Sequence, residues 1–63
     1  MTDKQRLVYK AVKTLGPETP HKIALRMGYK ESAPISQVLV RLNKMGLLTK
    51  TGKGKLTKYQ INE

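Results

Sequence analysis

Ile35-Ser36-Gln37-Val38-Leu39-Val40-Arg41-Leu42-Asn43-Lys44-Met45-Gly46-Leu47-Leu48 is the stretch on which the fold turns. Ile35, Val38, Leu39, Leu42 and Met45 recur at three- and four-residue spacing, which predicts a helix that buries this face. Ser32 is placed to cap its start, with Ala33 and Pro34 in the first turn. Gly46 can take the left-handed conformation that closes a helix. Leu47 and Leu48 then lead into a first strand at Thr49-Lys50-Thr51. The glycines of Gly52-Lys53-Gly54-Lys55 mark a hairpin turn. From Leu56 to Asn62 a second strand is expected, because Thr57, Tyr59 and Ile61 alternate with Lys58 and Gln60. One face of that strand, together with Leu47 or Leu48, is expected to join the core.

Upstream, Thr2 and Gln5 have capping-box spacing, so a first helix can start there. Leu7, Val8, Ala11, Val12 and Leu15 form its expected apolar face, and Gly16-Pro17 ends it. Arg6, Lys10 and Lys13 fall on the other side and read as a solvated face. Thr19-Pro20 reads as a cap followed by proline in the first turn of a second helix. Ile23, Ala24 and Met27 are its stripe and Gly28 its end; Leu25 falls off the stripe. The order helix, helix, helix, strand, turn, strand predicts one small α+β domain spanning 1–63.

With 63 residues and no cysteine, neither a disulfide nor a thiolate metal site can staple the chain. The net charge is +9, from 13 Lys and Arg against 4 Asp and Glu. Such an excess costs self-repulsion that a polyanion would offset. Nucleic acid is the main expectation, ahead of an anionic membrane surface or charge kept for solubility. The acids are Asp3, Glu18, Glu31 and Glu63, so Ser32 to Asn62 is acid-free while holding Arg41, Lys44, Lys50, Lys53, Lys55 and Lys58. The second half is therefore the better phosphate-facing surface. No apolar run approaches the ~20 residues of a membrane span, and Met1-Thr2-Asp3-Lys4 does not open a signal peptide. A cytoplasmic protein is expected, nucleoid-associated if its source is bacterial or viral.

Taken together, Ile23-Ala24-x-x-Met27-Gly28, Ile35-x-x-Val38-Leu39-x-x-Leu42-x-x-Met45-Gly46-Leu47-Leu48, Gly52-Lys53-Gly54 and Tyr59-x-Ile61 resemble the winged helix-turn-helix family. The resemblance covers roughly Thr2 to Ile61. It implies a recognition helix at Ala33 to Met45 for the major groove and a wing at Lys50 to Lys58 for the backbone or minor groove. The turn between Gly28 and Ile35 is slightly longer than is typical of the motif. Ser36 and Val40 stand about where the Z-DNA-binding members carry Asn and Tyr, so that subfamily is set aside.

On a 100° wheel the outer face of the third helix presents Ala33, Ser36, Gln37, Val40 and Lys44, flanked by Arg41. Gln37 can pair with adenine, Arg41 with guanine or a phosphate, and Val40 with a thymine methyl. Ser36 and Lys44 suit phosphate. Lys50, Lys53, Lys55 and Lys58 are the wing's phosphate contacts, although lysines also guard strand edges against aggregation. Thr19 and His21 suit either a phosphate or, respectively, a cap and an exposed histidine. Tyr59 is expected at the base of the wing, in the core.

Gly52-Lys53-Gly54-Lys55 lacks the full pattern of an ATPase phosphate loop. One histidine and four scattered carboxylates give no nucleophile–base pair or metal-ligand spacing, so neither enzyme, cofactor nor metal is expected. A transcriptional regulator or replication-associated factor on duplex DNA is the leading expectation. The alternative is a protein-interaction module within such machinery, which exposed Val40 and Leu25 would suit; RNA and the oligomeric state stay open.

Overall fold

The computed structural model describes residues 1–62, except for the side chain of Lys55. Its elements are α1 (Asp3–Leu15), α2 (Pro20–Arg26), α3 (Ala33–Lys44), β1 (Leu48–Thr51), a short 3-10 turn (Gly54–Leu56) and β2 (Lys58–Ile61). This is the expected small α+β layout of three helices followed by an antiparallel hairpin.

Local chemistry sets the helix ends. The Thr2 hydroxyl accepts from the Gln5 N–H at 3.1 Å, and the Gln5 side chain accepts from the Thr2 N–H at 3.0 Å. This reciprocal box satisfies two of the free donors at the start of α1. Thr19 accepts from the Lys22 N–H at 3.4 Å, so its role is the cap of α2. Both α2 and α3 end in the same glycine closure. At Gly28 the Tyr29 N–H reaches the Ala24 carbonyl at 2.9 Å; at Gly46 the Leu47 N–H reaches the Leu42 carbonyl at 3.0 Å. Both glycines have positive φ, 91° and 81°, as this motif requires.

Ser32 precedes α3 but makes no side-chain cap. Its own backbone is already helical, φ −85° and ψ −17°, whereas a capping side chain needs an extended residue to reach the first turn. The Ser32 carbonyl instead takes the Ile35 and Ser36 N–H groups at 3.0 and 2.7 Å.

Val8, Val12, Ile23, Ala24, Ile35, Leu39, Leu42, Leu48 and Tyr59 are buried and form one cluster. Ala11, Leu15, Met27, Val38, Leu47 and Ile61 pack at its margin. Two residues expected inside are outside. Leu7 is 60% exposed. α2 has seven residues and is only about 10 Å long, against about 20 Å for the thirteen residues of α1. It leaves that edge of α1 uncovered. Met45 is 50% exposed, because the chain reverses at Gly46 and Leu47 packs on the core instead.

The second strand starts at Lys58, not Leu56, since Gly54–Leu56 coil into the 3-10 turn. β1 and β2 pair as Leu48↔Ile61, Thr49↔Gln60, Lys50↔Tyr59 and Thr51↔Lys58. On its other side β2 meets Glu18, which lies between α1 and α2. The Tyr59 N–H donates to the Glu18 carbonyl at 2.9 Å, and the Glu18 N–H donates to the Tyr59 carbonyl at 3.2 Å. This closed pair is one rung of an antiparallel ladder. It ties the hairpin to the helices and was not evident from periodicity.

The hairpin tip depends on Gly52. Its φ is +83°, and a Cβ there would lie 2.5 Å from the Leu56 carbonyl oxygen. Gly54 also has positive φ, +55°, but open space around it. Gly52→Ala is therefore expected to cost about 2–3 kcal/mol and Gly54→Ala about 1 kcal/mol. At ~4–8 °C per kcal/mol for a domain this small, thermal unfolding followed by circular dichroism separates the two. Equal melting temperatures for the two variants would contradict the close approach.

Candidate nucleic-acid interface

α3 is anchored by Ile35, Leu39 and Leu42 in the core, so its opposite side must face out. Ala33, Gln37, Val40, Arg41 and Lys44 are exposed there, and Ser36 is half-buried. Val40 is 44% exposed, a β-branched apolar side chain between Gln37 and Lys44. The residues expected on this face are thus brought together.

They line two connected depressions. Gln37, Val40 and Arg41 border both. Toward the end of α3 the wall is Lys44 and Met45. Toward its start the wall is Thr2, Lys4 and Gln5 from the first turn of α1. Sequence reasoning missed this α1 contribution. Gln5 is committed to the capping box, which leaves Lys4 as the free cation on that wall. The Lys4 Nζ stands 5.8 Å from the ring centre of Tyr29, in the turn before α3. A cation over an exposed ring is worth about 0.5–1 kcal/mol, enough to bias Lys4 without removing it from solvent. The contact joins residues distant in sequence, and no local pattern announces it.

The hairpin divides its lysines. Side chains alternate faces along a strand. Lys50 is paired with Tyr59 and shares its face, whereas Lys58 is paired with Thr51 on the opposite face. Both are exposed, as is Lys53 at the turn. A duplex lying along one face can meet Lys50 or Lys58, with Lys53 available to either. The side chain of Lys55, expected at a phosphate, lies outside the described residues. His21 is exposed at the start of α2. Tyr59 is buried, as expected for the base of the hairpin.

Two side-chain bonds and one backbone bond set the angle at which the hairpin leaves α3. Asn43 Nδ2 donates to the Leu48 carbonyl at 2.9 Å. Asn62 Nδ2 donates to the Gly46 carbonyl at 2.9 Å, and its N–H donates to the Leu47 carbonyl at 3.0 Å. Neither Asn43 nor Asn62 is legible in the sequence, since a polar residue at a helix end or strand end carries no distinctive signal.

Among the described residues no group of His, Cys, Asp or Glu is placed to hold a metal ion. Among the described residues no helix is long and apolar enough to cross a membrane. The chain matches no family model, no curated protein and no solved structure.

Asn43→Ala removes one half-buried bond and is expected to cost about 1 kcal/mol. Amide exchange should quicken in β1 and β2 before it quickens in α1. Uniform acceleration across all elements would show that Asn43 does not specifically hold the hairpin on α3.

Proposed function

We propose that this chain is a small winged helix-turn-helix module that binds nucleic acid, foremost duplex DNA. α3 enters the major groove and the hairpin is a cationic wing on the backbone. The observation that carries this reading is the outer face of α3: Gln37, Val40, Arg41 and Lys44 stand exposed together while the opposite face is locked in the core. That combination offers hydrogen-bonding, apolar and cationic groups at the spacing of one helix face, which is what base-edge readout uses. The net charge of +9 and the acid-free run from Ser32 to Asn62 support it.

The two elements divide the work. Lys53, one of Lys50 and Lys58, Lys44 and Lys4 supply phosphate attraction without sequence choice. Gln37, Val40 and Arg41 supply any specificity. The role proposed for such a module is transcriptional or replication-associated, in the cytoplasm, and at the nucleoid if the source is bacterial or viral. A single module of this class buries about 600–1,000 Å² on DNA, so tight specific binding calls for a second copy or another domain.

If these four lysines each neutralise one phosphate, log affinity for mixed-sequence duplex falls against log salt with a slope of about −3 to −4. Lys53→Ala should weaken all sequences alike and reduce the slope by about one. Gln37→Ala or Arg41→Ala should cost about 1–3 kcal/mol on a selected site and relax preference there. Lys50→Ala and Lys58→Ala should differ, because one faces the duplex and the other does not. Fluorescence anisotropy across a salt series reads all of these. A flat salt dependence, or equal losses for the α3 and hairpin variants on every sequence, would defeat the proposal.

A further inference from the structure

We propose that the cleft between α1 and α2 is a docking groove for an acidic amphipathic helix of a partner protein. Leu7, Ala11, Leu15 and Met27 line it, with Lys10 and Arg26 alongside. Past Leu15 and Arg26 it continues to Leu25, Lys22 and Glu18. Isolated exposed leucines are ordinary on protein surfaces. Here Leu7 and Leu25, 60% and 53% exposed, border two adjoining depressions that share Leu15 and Arg26 and together form a trough along the two helices. Contiguity of that kind marks interaction surfaces. Neither leucine is accounted for by the core: Leu7 lies where α2 is too short to cover it, and Leu25 stands off the buried stripe of α2.

Charge decides the occupant. Lys10, Lys22 and Arg26 border the trough, and Glu18 is the one acid among its lining residues. A second copy would set the same cations against each other, on chains that each carry +9. An amphipathic helix with apolar anchors three, four and seven positions apart fits a two-helix trough. Acidic residues beside those anchors would meet Lys10, Lys22 and Arg26, which gives attraction and orientation together. The trough shares no lining residue with the depressions along α3, so its occupant and a duplex can be held at once. The inference does not depend on the nucleic-acid reading.

The probe is a synthetic helical peptide with leucines at those spacings and glutamates on both sides of the stripe, titrated into the isotope-labelled full chain. Amide shifts are expected at Leu7, Ala11, Leu15, Leu25 and Met27, with affinity falling as salt rises. Leu7→Ser with Leu25→Ser, and separately Lys10→Glu with Arg26→Glu, should each weaken binding about tenfold or more. These four side chains are exposed, so the melting temperature should fall by only a few degrees. A lysine-for-glutamate version of the peptide should not bind, and added duplex DNA should leave the peptide's shifts in place. The proposal is overturned by no shift at about 1 mM peptide, by shifts confined to the α3 face, by displacement with duplex, or by a self-association that Leu7→Ser with Leu25→Ser abolishes.

Discussion

The backbone closure at Gly46 governs how the hairpin stands on the helices. A helix end leaves carbonyls without partners, and burying them unpaired is costly. Here the Gly46 and Leu47 N–H groups turn back onto Asn43 and Leu42. The carbonyls of Gly46, Leu47 and Leu48 are taken by Asn62 and Asn43. Three successive peptide units are thereby bonded from both the helix and the far end of β2. The hairpin leaves α3 in one direction because its first residues have few polar alternatives. Any surface that uses α3 and the hairpin together inherits its geometry from this turn.

The core is small for the charge it carries. It is aliphatic apart from Tyr59, has no disulfide, and supports a chain of net charge +9. A domain this size buries a modest share of its surface, so cross-links that cost little apolar area matter. The two-bond rung between Glu18 and Tyr59 is such a link: it adds a third segment beside β2 with a single residue. It also places Tyr59 where its ring closes the core beneath the sheet. A net charge of +9 costs self-repulsion. Lys44, Lys50, Lys53 and Lys58 are all exposed.

What could be read from the sequence was what is decided within a turn or two of chain. The Thr2–Gln5 box, the Thr19-Pro20 start and the glycine ends of α2 and α3 are local, and each stands where its residues suggest. The outer face of α3 was equally legible, because helical geometry converts spacing directly into facing. Periodicity identifies a stripe but not how far a neighbour covers it, which is why Leu7 and Met45 were expected inside. Residue type identifies a possible cap but not its backbone, which is why Ser32 misled. The Glu18–Tyr59 rung, the opposed faces of Lys50 and Lys58, and the Lys4 wall come from pairing between distant segments. No spacing rule reaches those.

α1 is the element that borders both surfaces proposed as binding sites. Its first turn, Thr2 to Gln5, walls the depression along α3, while Leu7, Lys10, Ala11 and Thr14 wall the trough against α2. Val8 and Val12 of the same helix are committed to the core. A packed core holds such a helix as a rigid strut, since interiors resist small displacements. Occupying one surface would then not reshape the other, and a duplex and an acidic helix would bind additively. Coupling between them would instead have to run through charge. An acidic helix over Lys10 and Arg26 lowers the positive field that draws DNA, and over exposed groups that effect fades beyond about 10 Å at ordinary salt. Two separable surfaces on one small basic domain are what a module needs in order to hold a nucleic acid and a protein together.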